Sequence, residues 1–161
     1  MIRAPVKKSS MAITRVRSQP ELVQALTIRI RVFVKEQKVP AEIELDTDDQ
    51  RASHFLATIA GKAVGTARVV MKHQNAKIGR MAVLKNYRRK GVGAALLRRS
   101  ILAAKRLHAR QIYLNAQVAV IGFYERMGFR AVGKVFSEAG IAHRKMILPA
   151  RGRRNQNRKT S

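Results

Sequence analysis

The chain has no cysteine, which excludes a disulfide framework, thiolate chemistry and any zinc–thiolate site. Acids are nearly as scarce: nine Asp and Glu stand against 34 Lys and Arg in 161 residues, a formal net charge of +25. Such a surplus implies attraction to polyanions. Aromatics make up 5% of the chain, with no paired stacking aromatics on a strand and no recognition helix, which argues against sequence-specific reading of nucleic acid. Long apolar runs are missing too. None approaches the roughly 20 residues a spanning helix needs, so no membrane contact is expected and the cytoplasm is the expected location. His54, His73, His108 and His143 are too scattered for a local metal motif. Asp46-Thr47-Asp48-Asp49 starts like a calcium loop but has Arg51 where the sixth position needs Gly and Ala57 where the twelfth needs Glu. No metal is expected.

What is present is enough apolar material, 46% of the residues, for one core and one domain. The expected organisation is a flexible segment over 1–10, a domain over 11–150 and a disordered basic tail over 151–161, where no apolar residue is available for packing. Hydrophobic periodicity predicts a strand at 13–17 and a helix that starts at the Ser18–Glu21 capping box and runs to about Phe33. The acidic stretch to Gln50 reads as loop or short helix. Strands at 54–60 and 63–72 meet at a hairpin turn at Gly61-Lys62, and a further strand at 77–83 follows a turn at Gln74-Asn75. A broad apolar face marks a helix over 91–108. A strand at 112–115, a helix over about 120–127 and strands near 129–135 and 143–148 complete an α/β layer.

The most informative stretch is Lys77-Ile78-Gly79-Arg80-Met81-Ala82-Val83 followed by Arg88-Arg89-Lys90-Gly91-Val92-Gly93-Ala94. It reads as a strand ending in a basic, glycine-spaced turn that opens into a helix. The first amides of a helix lack intrahelical acceptors and together carry about half a positive charge, which suits a pyrophosphate. Gly91 and Gly93 let a diphosphate approach those amides, and Arg88, Arg89 and Lys90 add cations. Two other phosphate loops fail on spacing. There is no G-x-x-x-x-G-K-[ST], and a dinucleotide fingerprint would need a small residue where Leu96 stands and an acid about 20 positions on, where none occurs between Asp49 and Glu125.

Farther along, Gln111-Ile112-Tyr113-Leu114 leads into Asn115-Ala116-Gln117 and then Ile121-Gly122-Phe123-Tyr124-Glu125-Arg126-Met127-Gly128-Phe129. R-x-x-G-x-G paired with a later F-Y-x-x-x-G-F resembles the GNAT superfamily of acyl-CoA-dependent N-acetyltransferases. The runs Arg31 to Pro40, Glu44, Asp46 and Asp49, His54, Gly65 to Arg68, and Glu138 to His143 are similar to one branch of small bacterial GNAT proteins, over residues 13–148. Ala142 departs from that branch, which usually has Pro before the His.

The resemblance implies a mixed, mostly antiparallel sheet flanked by helices, with acetyl-CoA as co-substrate and a primary amine as acceptor. It implies that Met81 and Val83 bind the pantetheine arm through their backbone, that an amide near Ala82 receives the oxyanion, and that Arg88, Arg89, Lys90, Gly91, Val92, Gly93 and Ala94 hold the pyrophosphate. Asn115 would orient the cofactor's amides, and Phe123 would line its site as packing. Tyr124 would protonate the departing thiolate. Glu36, Glu138 and His143 are candidate bases for the acceptor amine, each with a salt bridge or a cap as its alternative role. Asp46 and Asp49 would either attract a cationic substrate or pair with the protein's own basic residues. His54 and His73 read as structural or exposed. The acceptor stays open between a polyamine or aminoglycoside, an amino acid, and a protein lysine or N-terminus, with the acidic stretch favouring a small cationic amine. Succinyl- or propionyl-CoA as donor, a homodimer as in relatives, and a nucleic-acid or ribosome-associated binding role on the same fold also stay open.

Overall fold

Residues 10–150 are described by the computed structural model. The expected N-terminal segment, apart from Ser10, and the whole basic tail lie outside the described residues. Strand β1 occupies Met11–Arg15, starting before the predicted Ile13, and pairs antiparallel with β2 at Ser53–Ile59. The capping box forms as predicted, with Ser18 accepting from the Glu21 amide and starting α1 at Gln19–Arg29. The predicted helix does not stay α-helical to Phe33. Its continuation, Ile30–Glu36, is a π-helix, a form concentrated at functional sites. The acidic stretch becomes a short helix, α2 at Ala41–Glu44, and a 3-10 turn at Thr47–Gln50.

Strand β3 (Lys62–Lys72) pairs with β2 and with β4 (Asn75–Val83); the two turns fall one residue earlier than predicted, at Ala60-Gly61 and His73-Gln74. Helix α3 (Val92–Arg106) leads to β5 (Ile112–Gln117), α4 (Ile121–Arg126), β6 (Arg130–Glu138) and β7 (Ile141–Leu148). The sheet order is β1-β2-β3-β4-β5-β7-β6, antiparallel throughout except between β4 and β5. One face packs on α3 through Phe55, Val69, Ile78, Leu96, Leu97 and Leu114. The other packs on α1 and the π-helix through Leu56 and Ala82 against Ala25, Ile28 and Val32.

Strand β4 changes faces along its length. Ala76 and Ile78 belong to the α3-side core whereas Ala82, an even number of residues on, belongs to the α1 side. The parity flips because Gly79 opposes Arg68 and Ala82 opposes Thr66, which leaves Arg80 and Met81 together opposite Ala67. This is a β-bulge, with Arg80 at φ 50°, and bulges re-aim side chains and increase local twist. A left-handed arginine is costly, and it is held. Its guanidinium bonds Ile43 O at 3.3 Å, Glu44 O at 3.2 Å and Asp46 Oδ2 at 3.1 Å.

Gly65, on β3 beside the end of β4, sets how closely α3 approaches. A Cβ there would stand 3.0 Å from Leu96 Cδ1, 3.1 Å from Val92 Cγ1 and 3.2 Å from Ala82 O. Gly65→Ala is expected to destabilise the protein by about 1–3 kcal/mol through overpacking, as measured by chemical denaturation. Unchanged stability would mean that the α3 contact is slack.

Candidate active site

Twist added by the bulge separates β4 from its parallel neighbour. Among the described residues their pairing is confined to Ala76–Ile112 and Lys77–Tyr113. Past that point β4 and β5 diverge, leaving the β5-facing edge of Ile78 to Val83 without a strand partner. The Leu84 amide donates to Val64 O across to β3, so by alternation the backbone groups of Val83 and Met81 face the gap and those of Ala82 face β3. On β5, Leu114 and Ala116 turn into the α3-side core, which places Asn115 on the opposite face.

At the top of the gap lies the turn before α3. Arg89 has φ 61° and Gly91 φ 80°, with Lys90 between them at negative φ. Alternating handedness of this kind converges successive N–H groups into an anion-binding nest. Gly91 caps α3 in the left-handed region with no side-chain cap bond, and no atom lies within 4 Å of a Cβ built on it. The concavity is open. Val92 is buried beneath it, and Ala94 follows in the first turn of α3. A Cβ on Gly93 would meet Phe123 Cζ at 3.6 Å, so α4 stands beside the nest. Lys90 Nζ lies 5.5 Å from the Tyr87 ring centroid, and Arg89 is exposed.

The parity flip also turns the Met81 side chain toward the α3–α4 face, where the Tyr124 hydroxyl approaches Met81 Sδ at 3.8 Å. Phe123 and Phe129 pack edge-on against the Tyr124 ring, with centroids at 5.0 and 6.1 Å. Burial pushes the phenol up to about 12, so it keeps its proton throughout the neutral range.

On the other face, Glu36 at the end of the π-helix accepts from Arg88 Nη2 at 2.8 and 3.1 Å, and Arg88 Nε donates to Val83 O at 2.9 Å. The next residue, Gln37, accepts from Gln117 Nε2 at 2.7 Å. Consecutive residues thus reach both lips of the gap. His143 stands opposite Gln117 in the β5–β7 register. Its Nδ1 donates to Ile141 O at 2.7 Å, its Nε2 lies 3.6 Å from Glu138 Oε2, and the Phe136 ring stacks on it at 6.0 Å. The structure brings Tyr124 to Met81, Glu36 to Arg88 and Glu138 to His143, and the Gln37–Gln117 pair connects the second and third of these neighbourhoods, with Tyr124 and Met81 on the opposite face. Sequence reading had not singled out Gln37 or Gln117. Their signal was present only as residues inside motifs.

The acidic stretch is used internally. Asp46 binds Arg68 and Arg80, Asp48 binds Arg51 and Lys72, and Asp49 binds Arg29 and Arg68. Of the two roles expected of Asp46 and Asp49, the structure shows the pairing with the protein's own basic residues. Burial raises the Asp49 carboxyl, but hydrogen bonds from Arg29 and Arg68 outweigh it and hold it at about 2. His54 is buried, and its Nε2 donates to Asp49 O at 2.9 Å, a structural role; His73 is an exposed turn residue. Among the described residues no group of three His, Asp or Glu could hold a metal, and no helix is long and apolar enough to cross a membrane.

The model of the acetyltransferase (GNAT) domain family matches residues 13–149. The chain belongs to the GNAT acetyltransferase family. As a GNAT protein it is an acyltransferase, with the family's seven-stranded, mostly antiparallel open sheet. It is 37% identical over 132 residues to the uncharacterised N-acetyltransferase YjcF of Bacillus subtilis, spanning 81% of this chain and 94% of that one. An acyl-CoA N-acyltransferase from Pseudomonas aeruginosa superposes with a TM-score of 0.76 at 30% identity, covering 88% of this chain and all 100% of the other. A GNAT family acetyltransferase from Elizabethkingia anophelis, solved with acetyl-CoA bound, shares the fold at a TM-score of 0.63 and 18% identity, over 87% of this chain and 96% of that one.

Proposed function

We propose that this GNAT enzyme transfers an acetyl group from acetyl-CoA to a primary amine by direct attack on the thioester. The observation that carries the reading is the divergence of β4 from β5 directly below the Arg89–Gly91 nest. It leaves a strand edge without a strand partner for the pantetheine amides and convergent N–H groups for the diphosphate. Arg88, Lys90 and the amides of Gly91, Val92, Gly93 and Ala94 take the diphosphate, while Met81 and Val83 pair with the arm and Asn115 lies across from them on β5.

The thioester carbonyl then lies by the bulge, where a backbone N–H of Met81 or Val83 receives the developing oxyanion. The amine lone pair forms the C–N bond, the C–S bond breaks, the sulfur takes the Tyr124 proton as it leaves, and the proton shed by the acylated nitrogen returns to Tyr124 to restore the phenol. A thiol is ordinarily more acidic than a phenol of this kind. The Tyr124 hydroxyl therefore first stabilises the forming thiolate by hydrogen bonding and gives up its proton in concert with that return. The acceptor enters on the side of Glu36, Glu138 and His143, where a carboxylate or His143 Nε2 removes the ammonium proton. The test is thiol release from acetyl-, propionyl- and succinyl-CoA with a panel of polyamines, aminoglycosides, amino acids and lysine peptides. Amine-dependent turnover with acetyl-CoA is expected; amine-dependent turnover only with a larger acyl donor would reassign the acyl group, and none with any donor would refute the reading.

A second reading has its own observation. The acids from Glu36 to Asp49, except Glu42, are paired internally, while the exposed Arg98, Lys105 and Arg106 of α3 lie in a stretch without acids. Non-specific RNA contact through this surface predicts an affinity that falls linearly in log–log plots against salt. Deleting residues 151–161 should make the slope shallower. Salt-independent RNA binding would contradict an electrostatic contact.

A further inference from the structure

Arg88 opens the R-x-x-G-x-G turn, yet its guanidinium is engaged away from the nest, with Nε on Val83 O and Nη2 on both Glu36 oxygens. Both contacts occupy chemistry the donor needs: Val83 O belongs to the strand edge facing the gap, and the Glu36 carboxylate is an anion on a cation of the phosphate turn. The pair is solvent-accessible, with side chains 41% and 38% exposed. An ion pair of that kind is worth about 0–1 kcal/mol, so a diphosphate seated in the nest can displace it. Glu36 is meanwhile fixed in position, because the adjacent Gln37 is hydrogen-bonded to Gln117 across the gap.

We infer that Glu36 is a stand-in anion for the donor's diphosphate at Arg88: donor binding transfers Arg88 to the diphosphate, and the freed Glu36 carboxylate becomes the docking point for the acceptor's ammonium group. The inference rests on the donor-site reading above. Donor binding completes the acceptor site, so acceptor affinity depends on a donor carrying the diphosphate rather than on the thioester alone. Glu36 is then a specificity residue for cationic acceptors.

The test is calorimetric titration of wild-type protein, Glu36→Gln and Arg88→Ala with CoA and with acetyl-pantetheine, which lacks the diphosphate, followed by amine kinetics. Glu36→Gln, which keeps the shape and removes the competing charge, should bind CoA about two- to fivefold more tightly. It should bind acetyl-pantetheine as wild type does, and KM for the amine should rise several-fold. CoA affinity unchanged or weakened in Glu36→Gln would overturn the exchange. Arg88→Ala should lose CoA affinity without losing that for acetyl-pantetheine, since the change also frees Val83 O; CoA affinity unchanged in Arg88→Ala would instead overturn the diphosphate placement itself. A purely structural salt bridge would lower the unfolding midpoint of Glu36→Gln without tightening CoA.

Discussion

Replacing Tyr124 with Phe lowers kcat by about 10²-fold or more while leaving the dissociation constant of acetyl-CoA near the wild-type value, since general acid catalysis contributes roughly 10² to 10⁴. The ring packs against Phe123 and Phe129, which Phe preserves, and the hydroxyl's neighbour is Met81 Sδ at 3.8 Å, a weak acceptor. Little structural energy therefore depends on the oxygen, and the loss falls on the reaction. Burial pushes this phenol up to about 12, so the wild-type rate should show no alkaline limb from Tyr124 below about pH 10, where under a tenth of the phenol would be ionised. Steady-state kinetics from pH 6 to 10 beside calorimetry of donor binding checks both points. A Tyr124→Phe enzyme with unaltered kcat would mean that water or another residue protonates the thiolate.

The second large effect is on folding. Arg29→Met is expected to cost about 3–5 kcal/mol, the usual result of removing one partner from a buried ion pair. Arg29 is fully buried; its guanidinium donates to Glu44 Oε1 at 2.8 Å, to Glu44 O at 2.5 Å and to Asp49 at 2.7 and 3.2 Å. Methionine fills similar volume but leaves Glu44, whose carboxyl burial pushes up against the opposing pull of Arg29 and Arg80, with one cation fewer. Against a total stability of about 5–15 kcal/mol this is a large fraction. Denaturant titration checks it, and a loss under 1 kcal/mol would show that the network does not hold the fold.

The same network sets the acid limit. Asp49, and Asp48 through hydrogen bonds from Lys72 and Arg51, sit at about 2 in the folded protein, below the ordinary 3.8. For a depressed carboxyl the stabilisation is present above the unfolded value and disappears as pH falls through the folded one. Stability should therefore decline between about pH 4 and pH 2, by about 2 kcal/mol for Asp49 alone. In Arg29→Met that decline should be smaller.

The turn before α3 was legible because its pattern is local. Gly91 and Gly93 behind three basic residues describe a strand–turn–helix with few alternatives, and the Ser18–Glu21 box fixed where α1 begins. The bulge was not legible. Arg80 at φ 50° is imposed by contacts to Ile43, Glu44 and Asp46, more than 30 residues earlier in the chain, and nothing in Gly79-Arg80-Met81 announces a left-handed residue. Yet that bulge flips Met81 toward Tyr124 and opens β4 from β5. The acidic stretch was open to two readings for a related reason: charge count cannot distinguish recruiting a cation from holding one. Arg29, Arg68 and Arg80, spread over the chain, meet those acids only in the fold. The switch from α- to π-helix after Arg29 likewise has no local signature in Ile30-Arg31-Val32, and it ends at Glu36 and Gln37, beside the gap.

The most direct measurement of the cleft's purpose is thermal unfolding at fixed, near-physiological salt with acetyl-CoA, with ATP and with pyrophosphate. A specific ligand at 100 times its dissociation constant adds about 2.7 kcal/mol. Acetyl-CoA should raise the midpoint well beyond either control, because it fills the strand edge of β4 as well as the nest. Equal shifts from all three would show that the basic surface collects phosphate without a cleft for the pantetheine arm, contradicting the donor site.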